Sequence, residues 1–248
     1  MKIFLSAIEG NKKLVEKILE KTNKLNYSLM SFFYIKNKRD VAVLVRDNSK
    51  EVLIDSGAHS FQKGKKVNWE EYTRQYAEFI KEFDRPNVVG YFEMDVDNLI
   101  GYEKVLELRK ILESVSNKII PVWHKNRGIE EFKKMCQDYA GKVVAITGFK
   151  NEDIQDHQYM MFLKYAKKYN CKVHCLGMTR KKILDEVPFD YTDSSSWVQS
   201  SVYGFVENKK VPKQLSKDDR EIILLTNYLL GMEMQKHYYK KWKNTCKD

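Results

Sequence analysis

Eight short runs rich in β-branched and aromatic residues recur along the chain, most of them separated by a stretch with helical apolar spacing. Such alternation forces parallel strands, because each helix must carry the chain back before the next strand begins. The crossovers are then right-handed. Residues 2–7 read as the first strand, and 12–22 as a helix with Leu14, Val15, Ile18 and Leu19 on one side. Residues 28–35 read as the second strand. Residues 39–46, which hold Val41-Ala42-Val43-Leu44-Val45, fit either a strand or a short helix. Further strands are expected at 52–55, 87–95, 118–124, 142–149, 172–178 and 190–197, with helices at 69–83, 102–115, 129–139, 155–169 and 180–187.

Eight such units within 248 residues predict an α/β chain folded as a (β/α)8 TIM-type barrel over residues 1–204. A doubly wound open sheet is the alternative. Residues 205–248 read as a basic connection and a C-terminal helix at 218–242 packed on the barrel, with an acidic first turn and a Lys-rich end. There Lys236, Lys240, Lys241 and Lys243 surround Tyr238, Tyr239 and Trp242. That mixture suits rings docked on the barrel with their lysines in water, and it suits contact with nucleic acid.

The formal net charge of +10 fits either an ordinary basic soluble protein or a polyanionic partner, nucleic acid ahead of membrane. No apolar run is long enough to span a bilayer, and Met1-Lys2-Ile3-Phe4-Leu5 is too short for a signal sequence, so a soluble cytoplasmic protein is expected. Neither G-x-G-x-x-G nor a P-loop is present to hold a dinucleotide or a nucleoside triphosphate. The cysteines, Cys136, Cys171, Cys175 and Cys246, show no C-x-x-C spacing. Cys171, His174 and Cys175 invite a metal reading, but on a strand they stand too far apart, so reduced structural thiols are expected and no metal.

In a barrel, function gathers where strands end, at the C-terminal face. The predicted ends are Asp55, then Glu93, Asp95 and Asp97, then His124, Gly148, Leu176-Gly177 and Asp193. Strand alternation also sets Phe189, Tyr191, Asp193 and Ser195 on one face, and Glu93 with Asp95 on one face. Asp is disfavoured within strands and costly to bury unpaired, so its repeated use at strand ends points to chemistry.

Asp55-Ser56-Gly57-Ala58-His59-Ser60-Phe61-Gln62 resembles the active-site signature of the tRNA-guanine transglycosylases. The resemblance continues in order through Ala145-Ile146-Thr147-Gly148-Phe149, His174-Cys175-Leu176-Gly177-Met178 and the Asp-x-x-Asp spacing of Asp190-Tyr191-Thr192-Asp193. It covers roughly residues 50 to 197. It implies a (β/α)8 barrel that exchanges guanine for a 7-deazaguanine. In that reading Asp193 is the nucleophile, Asp55 the general acid and base, and Asp95 or Glu93 the reader of the base. His124 stands where the family has Gln. The longer Asp55 loop, the short chain and the lack of a zinc-binding Cys cluster after Asp193 bring it nearer to the paralogues of phages and bacteria that modify DNA. The partners implied are nucleic acid, DNA ahead of tRNA, a free 7-deazaguanine base and other proteins of a modification system, with no cofactor.

The chemistry asks for these residue types. Base exchange at C1′ passes through an oxocarbenium-like state, which a carboxylate can capture covalently. A second carboxyl must protonate the departing base and deprotonate the incoming one. An acidic reader accepts hydrogen bonds from guanine N1–H and N2–H, and Gly148 and Gly177 let the backbone approach. His124 could bond the base carbonyl, or be a satisfied rim histidine. His59 or Phe61 could stack on the ring, with core packing the other use of Phe61, and Leu176 could wall it. Ser56 belongs to the same loop, whose Asp or Ser could otherwise simply cap a helix. Lys63, Lys65 and Lys66 are placed to hold phosphates, or form a plain solvated run. The acidic residues near 93–97 could alternatively hold a divalent metal.

Overall fold

Pro121 sits where the barrel closes. In the computed structural model, which describes residues 1–61, 67–148, 153–206, 209–211 and 216–246, the chain forms a (β/α)8 barrel with a C-terminal helix. The parallel strands are β1 (Lys2–Ser6), β2 (Leu25–Ser31), β3 (Ser49–Asp55), β4 (Val88–Phe92), β5 (Ile119–Ile120), β6 (Val122–Trp123), β7 (Val143–Thr147), β8 (Lys172–Leu176) and β9 (Tyr191–Ser194). Their order runs β5-β4-β3-β2-β1-β9-β8-β7-β6. β5 and β6 are two pieces of one strand. Pro121 between them has no N–H to give a ladder. The Ile120 carbonyl still accepts from Glu93 on the β4 side and the Pro121 carbonyl from Ala145 on the β7 side, which joins the two edges.

The helices are α1 (Lys12–Thr22), α2 (Phe32–Ile35), α3 (Arg39–Asn48), α4 (Trp69–Phe83), α5 (Asp97–Ile100), α6 (Tyr102–Glu113), α7 (Gly128–Asp138), α8 (Tyr159–Lys168), α9 (Lys181–Glu186), α10 (Ser196–Val202) and α11 (Lys217–Trp242). α1 and α4 span the residues that their apolar spacing predicts. Residues 39–46 are helical, burying Val41, Ala42 and Val45 on one face. The expected strand at 28–35 ends early, at Ser31. Phe32-Phe33-Tyr34-Ile35 has the composition of a strand but winds one turn, because Phe32 and Ile35, three apart, both reach the core. Phe32 meets Tyr72, Tyr76 and Phe79 of α4 there.

Three apolar layers result. Phe4, Leu53, Phe92, Ile120, Val122, Ala145 and Tyr191 fill the barrel. Two larger clusters lie between strands and helices, one on each side. Gly90 is needed inside: a Cβ there would lie 2.3 Å from Ile120 Cδ1. Phe189 belongs to an outer cluster, against Tyr159, so it does not share the face of Tyr191 as strand alternation suggests. The strand begins only after it.

α11 takes the place of the eighth helix of the ring. Its Glu221 pairs with Lys17 of α1 at 2.8 Å, and its Lys241 with Asp185 of α9 at 2.8 Å. Trp242 Nε1 donates to the Leu184 carbonyl, and Tyr238 is buried. Gln235 Nε2 donates to both Ile3 O and Tyr27 O, bridging β1 and β2. The rings of this segment therefore dock on the barrel. Before it, Phe205–Val206 pairs antiparallel with Lys209–Lys210. No described helix is long and apolar enough to cross a membrane.

Candidate active site

The C-terminal mouth of the barrel opens into a cavity of about 650 Å³. Strand geometry brings its walls together. Thr147, Leu176 and Asp193 sit at or near the ends of β7, β8 and β9 and line it. Asp95, Asp97 and His124 follow β4 and β6 and line it as well, with Asn98, Asn126, Asp153, Gly177 and the exposed His59. Asp55 ends β3 at the same face, in register with Ser31, and is half-buried. It is not part of the cavity lining; its Oδ2 accepts the Gly57 N–H at 2.9 Å.

Asp193 is held in a defined pose. His174 Nε2 lies 2.9 Å from its Oδ1, and the Gly177 N–H donates to the same oxygen at 2.9 Å. Gly177 has φ +64, a left-handed conformation that favours glycine and turns its N–H toward the carboxylate. His174 is fully buried inside the barrel, between Phe4, Phe92 and Tyr191. It lies two residues before Leu176 on β8, so strand alternation alone could have placed it inward. Cys175 points to the outer layer, and Cys171 Sγ bonds the carbonyls of Cys136 and Tyr139. Cys171, His174 and Cys175 do not converge, as their spacing indicated.

Asp55 is the titratable group whose environment fits acid–base work. Burial raises its pKa, the Gly57 N–H opposes this, and the charges of Asp95 and Asp193 raise it further, to about 6. The two carboxyls singled out for chemistry are therefore within electrostatic reach of each other.

His124 bridges two acids. Its Nε2 lies 2.7 Å from Asp95 Oδ1 and its Nδ1 3.0 Å from Asp153 Oδ2, which also accepts from the Thr147 hydroxyl at 2.6 Å. Burial alone would lower its pKa; the bonds to Asp95 and Asp153 and the charges of Asp95 and Asp97 outweigh that and lift it to about 9. Both ring nitrogens are thus engaged by carboxylates, as in the satisfied rim histidine that the sequence also allowed. A folded-state pKa above the ordinary histidine value stabilises the fold fully below about pH 6.5, and the benefit is lost as pH rises through about 9. Urea unfolding at pH 6 and pH 9.5 should show this loss, and His124→Asn should remove most of it.

Several expected site residues have other work. Glu93 is fully buried behind the strand wall, 2.5 Å from Arg109 Nε and accepting the Val122 N–H at 2.7 Å. It does not share the face of Asp95, because β4 ends at Phe92 and the chain turns through a Val96 N–H to Met94 carbonyl bond. Ser56 is buried; its carbonyl accepts from the Tyr72 hydroxyl. Phe61 packs edge-on against Phe33, Trp69 and Tyr72, away from the cavity. Gly148 gives its N–H to the Leu176 carbonyl, and a Cβ there would lie 2.8 Å from Cys175 Sγ, so its role is close packing of β7 on β8. Lys63, Lys65 and Lys66 lie outside the described residues.

Asp95, Asp97 and His124 bring ligand atoms within 4.8 Å of one another, the one such group among the described residues. As arranged they are matched to protein cations. Asp97 pairs with Arg127 at 2.9 Å and accepts from Asn126, while His124 carries its proton into the neutral range. A metal would have to displace that proton.

No family model matches this sequence, and no curated protein does.

Proposed function

We propose that the chain is a pentosyltransferase that exchanges guanine in nucleic acid for a 7-deazaguanine base, with DNA as the substrate. The observation that carries this is the pairing of a fixed carboxylate, Asp193, with a carboxyl poised near pH 6, Asp55, at one barrel mouth. An oxygen of Asp193 attacks C1′ as the C1′–N9 bond breaks, and Asp55 gives its proton to the departing purine. The incoming 7-deazaguanine then loses its N9 proton to Asp55, attacks C1′ and frees Asp193. Asp55 must turn from Gly57 toward the cavity to do so, a side-chain rotation.

Asp95 suits the reading of guanine. Its Oδ1 is taken by His124, which leaves Oδ2 for the N1–H and N2–H groups. Leu176 offers an apolar wall, and His59 stands exposed at the rim. The cavity has room for a base together with its sugar, and the base must leave the stack to enter. The basic excess supports a polyanionic substrate.

The test is transfer of labelled guanine, and of a 7-deazaguanine, into DNA and tRNA by the purified chain, followed by mass spectrometry of the nucleosides. Asp55→Asn should lower exchange by about 10²–10⁴-fold with the fold intact. An undiminished rate would remove Asp55 from the mechanism. Release of free sugar without a new base would make the chain a hydrolase.

A further inference from the structure

Behind Asp55 stands a second carboxyl. Glu9 follows β1 in a single 3-10 turn, Ile8–Gly10, and is only 2% exposed. Its Oε1 accepts the Ser31 N–H at 3.0 Å. Its Oε2 is buried with no hydrogen-bond partner among the described residues, while the Ser31 side chain reaches the Asp55 carboxyl. Ser31 ends β2 as the register partner of Asp55. Its Oγ lies 2.7 Å from where a Cβ on Gly57 would stand, and Gly57 gives its N–H to Asp55. Glu9, Ser31, Gly57 and Asp55 are thus consecutive neighbours across the β1–β3 side of the mouth. A bare, ionised carboxylate oxygen is expensive in such a place, whereas a neutral carboxylic acid is tolerated.

We propose that Glu9 is a positioning residue for the acid–base step, a second carboxyl that remains protonated behind Asp55 and titrates together with it. This rests on the function proposed above. The charges around the pair are few. Lys38, ahead of α3, faces Glu9, while Asp95 and Asp193 face Asp55. Tyr72 and Tyr76 of α4 approach Asp55 with their hydroxyls bonded to the Ser56 and Ile54 carbonyls. Burial pushes the Glu9 pKa up, the Ser31 N–H pulls it down, and the charge of Asp55 raises it again against Lys38, to about 7. The negative charge of an ionised Asp55 holds the Glu9 proton in place. The pair keeps one proton through the range in which Asp55 gives and takes its own.

Carboxyl-carbon NMR titration of the full chain tests this without turnover. Asp55→Asn should lower the Glu9 midpoint, and Glu9→Gln should convert the Asp55 curve from two steps to one. Gln keeps an oxygen for the Ser31 N–H and so spares the fold; if that variant nevertheless fails to fold, the Asp55→Asn titration decides alone. In the exchange assay, Glu9→Gln should move the alkaline limb of the rate profile to lower pH by about one unit, and an unmoved limb would leave Glu9 a structural role only. Midpoints that do not respond to the partner substitution overturn the proposal even if exchange proceeds. Midpoints that respond in a chain without exchange activity sustain the coupled pair and refute the transglycosylase reading instead.

Discussion

Asp193→Asn should reduce exchange by at least about 10³-fold and abolish any covalent protein–DNA adduct on denaturing gels. The substitution is chosen to separate chemistry from scaffolding. Asn keeps an oxygen where Asp193 Oδ1 accepts the Gly177 N–H and meets His174 Nε2, so the end of β9 should hold its shape. What Asn lacks is the anionic oxygen that captures C1′ and offsets the oxocarbenium charge. Loss of rate with an unchanged unfolding midpoint is the expected result. Wild-type exchange in this variant would mean that the carboxylate serves position only.

The barrel was legible because two periodicities are written separately into the chain. Apolar spacing marks α1 and α4 to the residue, since each buries one face and begins at an Asn side chain that accepts an N–H of the first turn. The mouth was legible at Asp55, Asp95, His124, Leu176 and Asp193, because parallel strands of a barrel all end at one face. Alternation failed where strands stop. Glu93 and Asp95 are two apart, yet the strand ends between Phe92 and Glu93, so one is drawn into the helix layer and the other faces the mouth. Of the two uses open to Phe61, stacking and packing, the sequence could not choose, because the three rings of Phe33, Trp69 and Tyr72 that receive it come from separate parts of the chain.

The residues that were missed act through others. His174 braces Asp193, Asp153 braces His124, and Glu9 stands behind Asp55. Local sequence marks only His174, through its alternation with Leu176 on β8. Glu9 before Gly10 reads as an ordinary surface turn, and only the packing of β2 against that turn buries it. Asp153 meets His124 across 29 positions of sequence, a contact that no periodicity encodes. Supporting contacts of this kind are set by tertiary packing, whereas the side chains at strand ends are set by strand geometry.

Glu93→Ala should cost about 3–5 kcal/mol of stability in urea unfolding at neutral pH, a large part of what a domain of this size has to lose. The side chain is wholly buried and holds together two cations from different elements. Arg109 of α6 lies 2.5 Å from Oε2, and Arg127, ahead of α7, lies 3.6 Å from Oε1 and also bonds the Val122 carbonyl. Oε1 further accepts the Val122 N–H, the first amide after the Pro121 break. Glu93 thus fastens β4 to β6 at the point where the proline interrupts the ladder, which is also where Asp95 and His124 leave the barrel wall. Truncation strands the Arg109 guanidinium in the core, while Arg127 keeps its pair with Asp97. A residue that read the base would show the opposite pattern: altered discrimination between guanine and other purines, with the unfolding midpoint unmoved. Replacing Arg109 by Met in the Glu93→Ala background should recover part of the loss, because removing both charges leaves less to compensate than removing one.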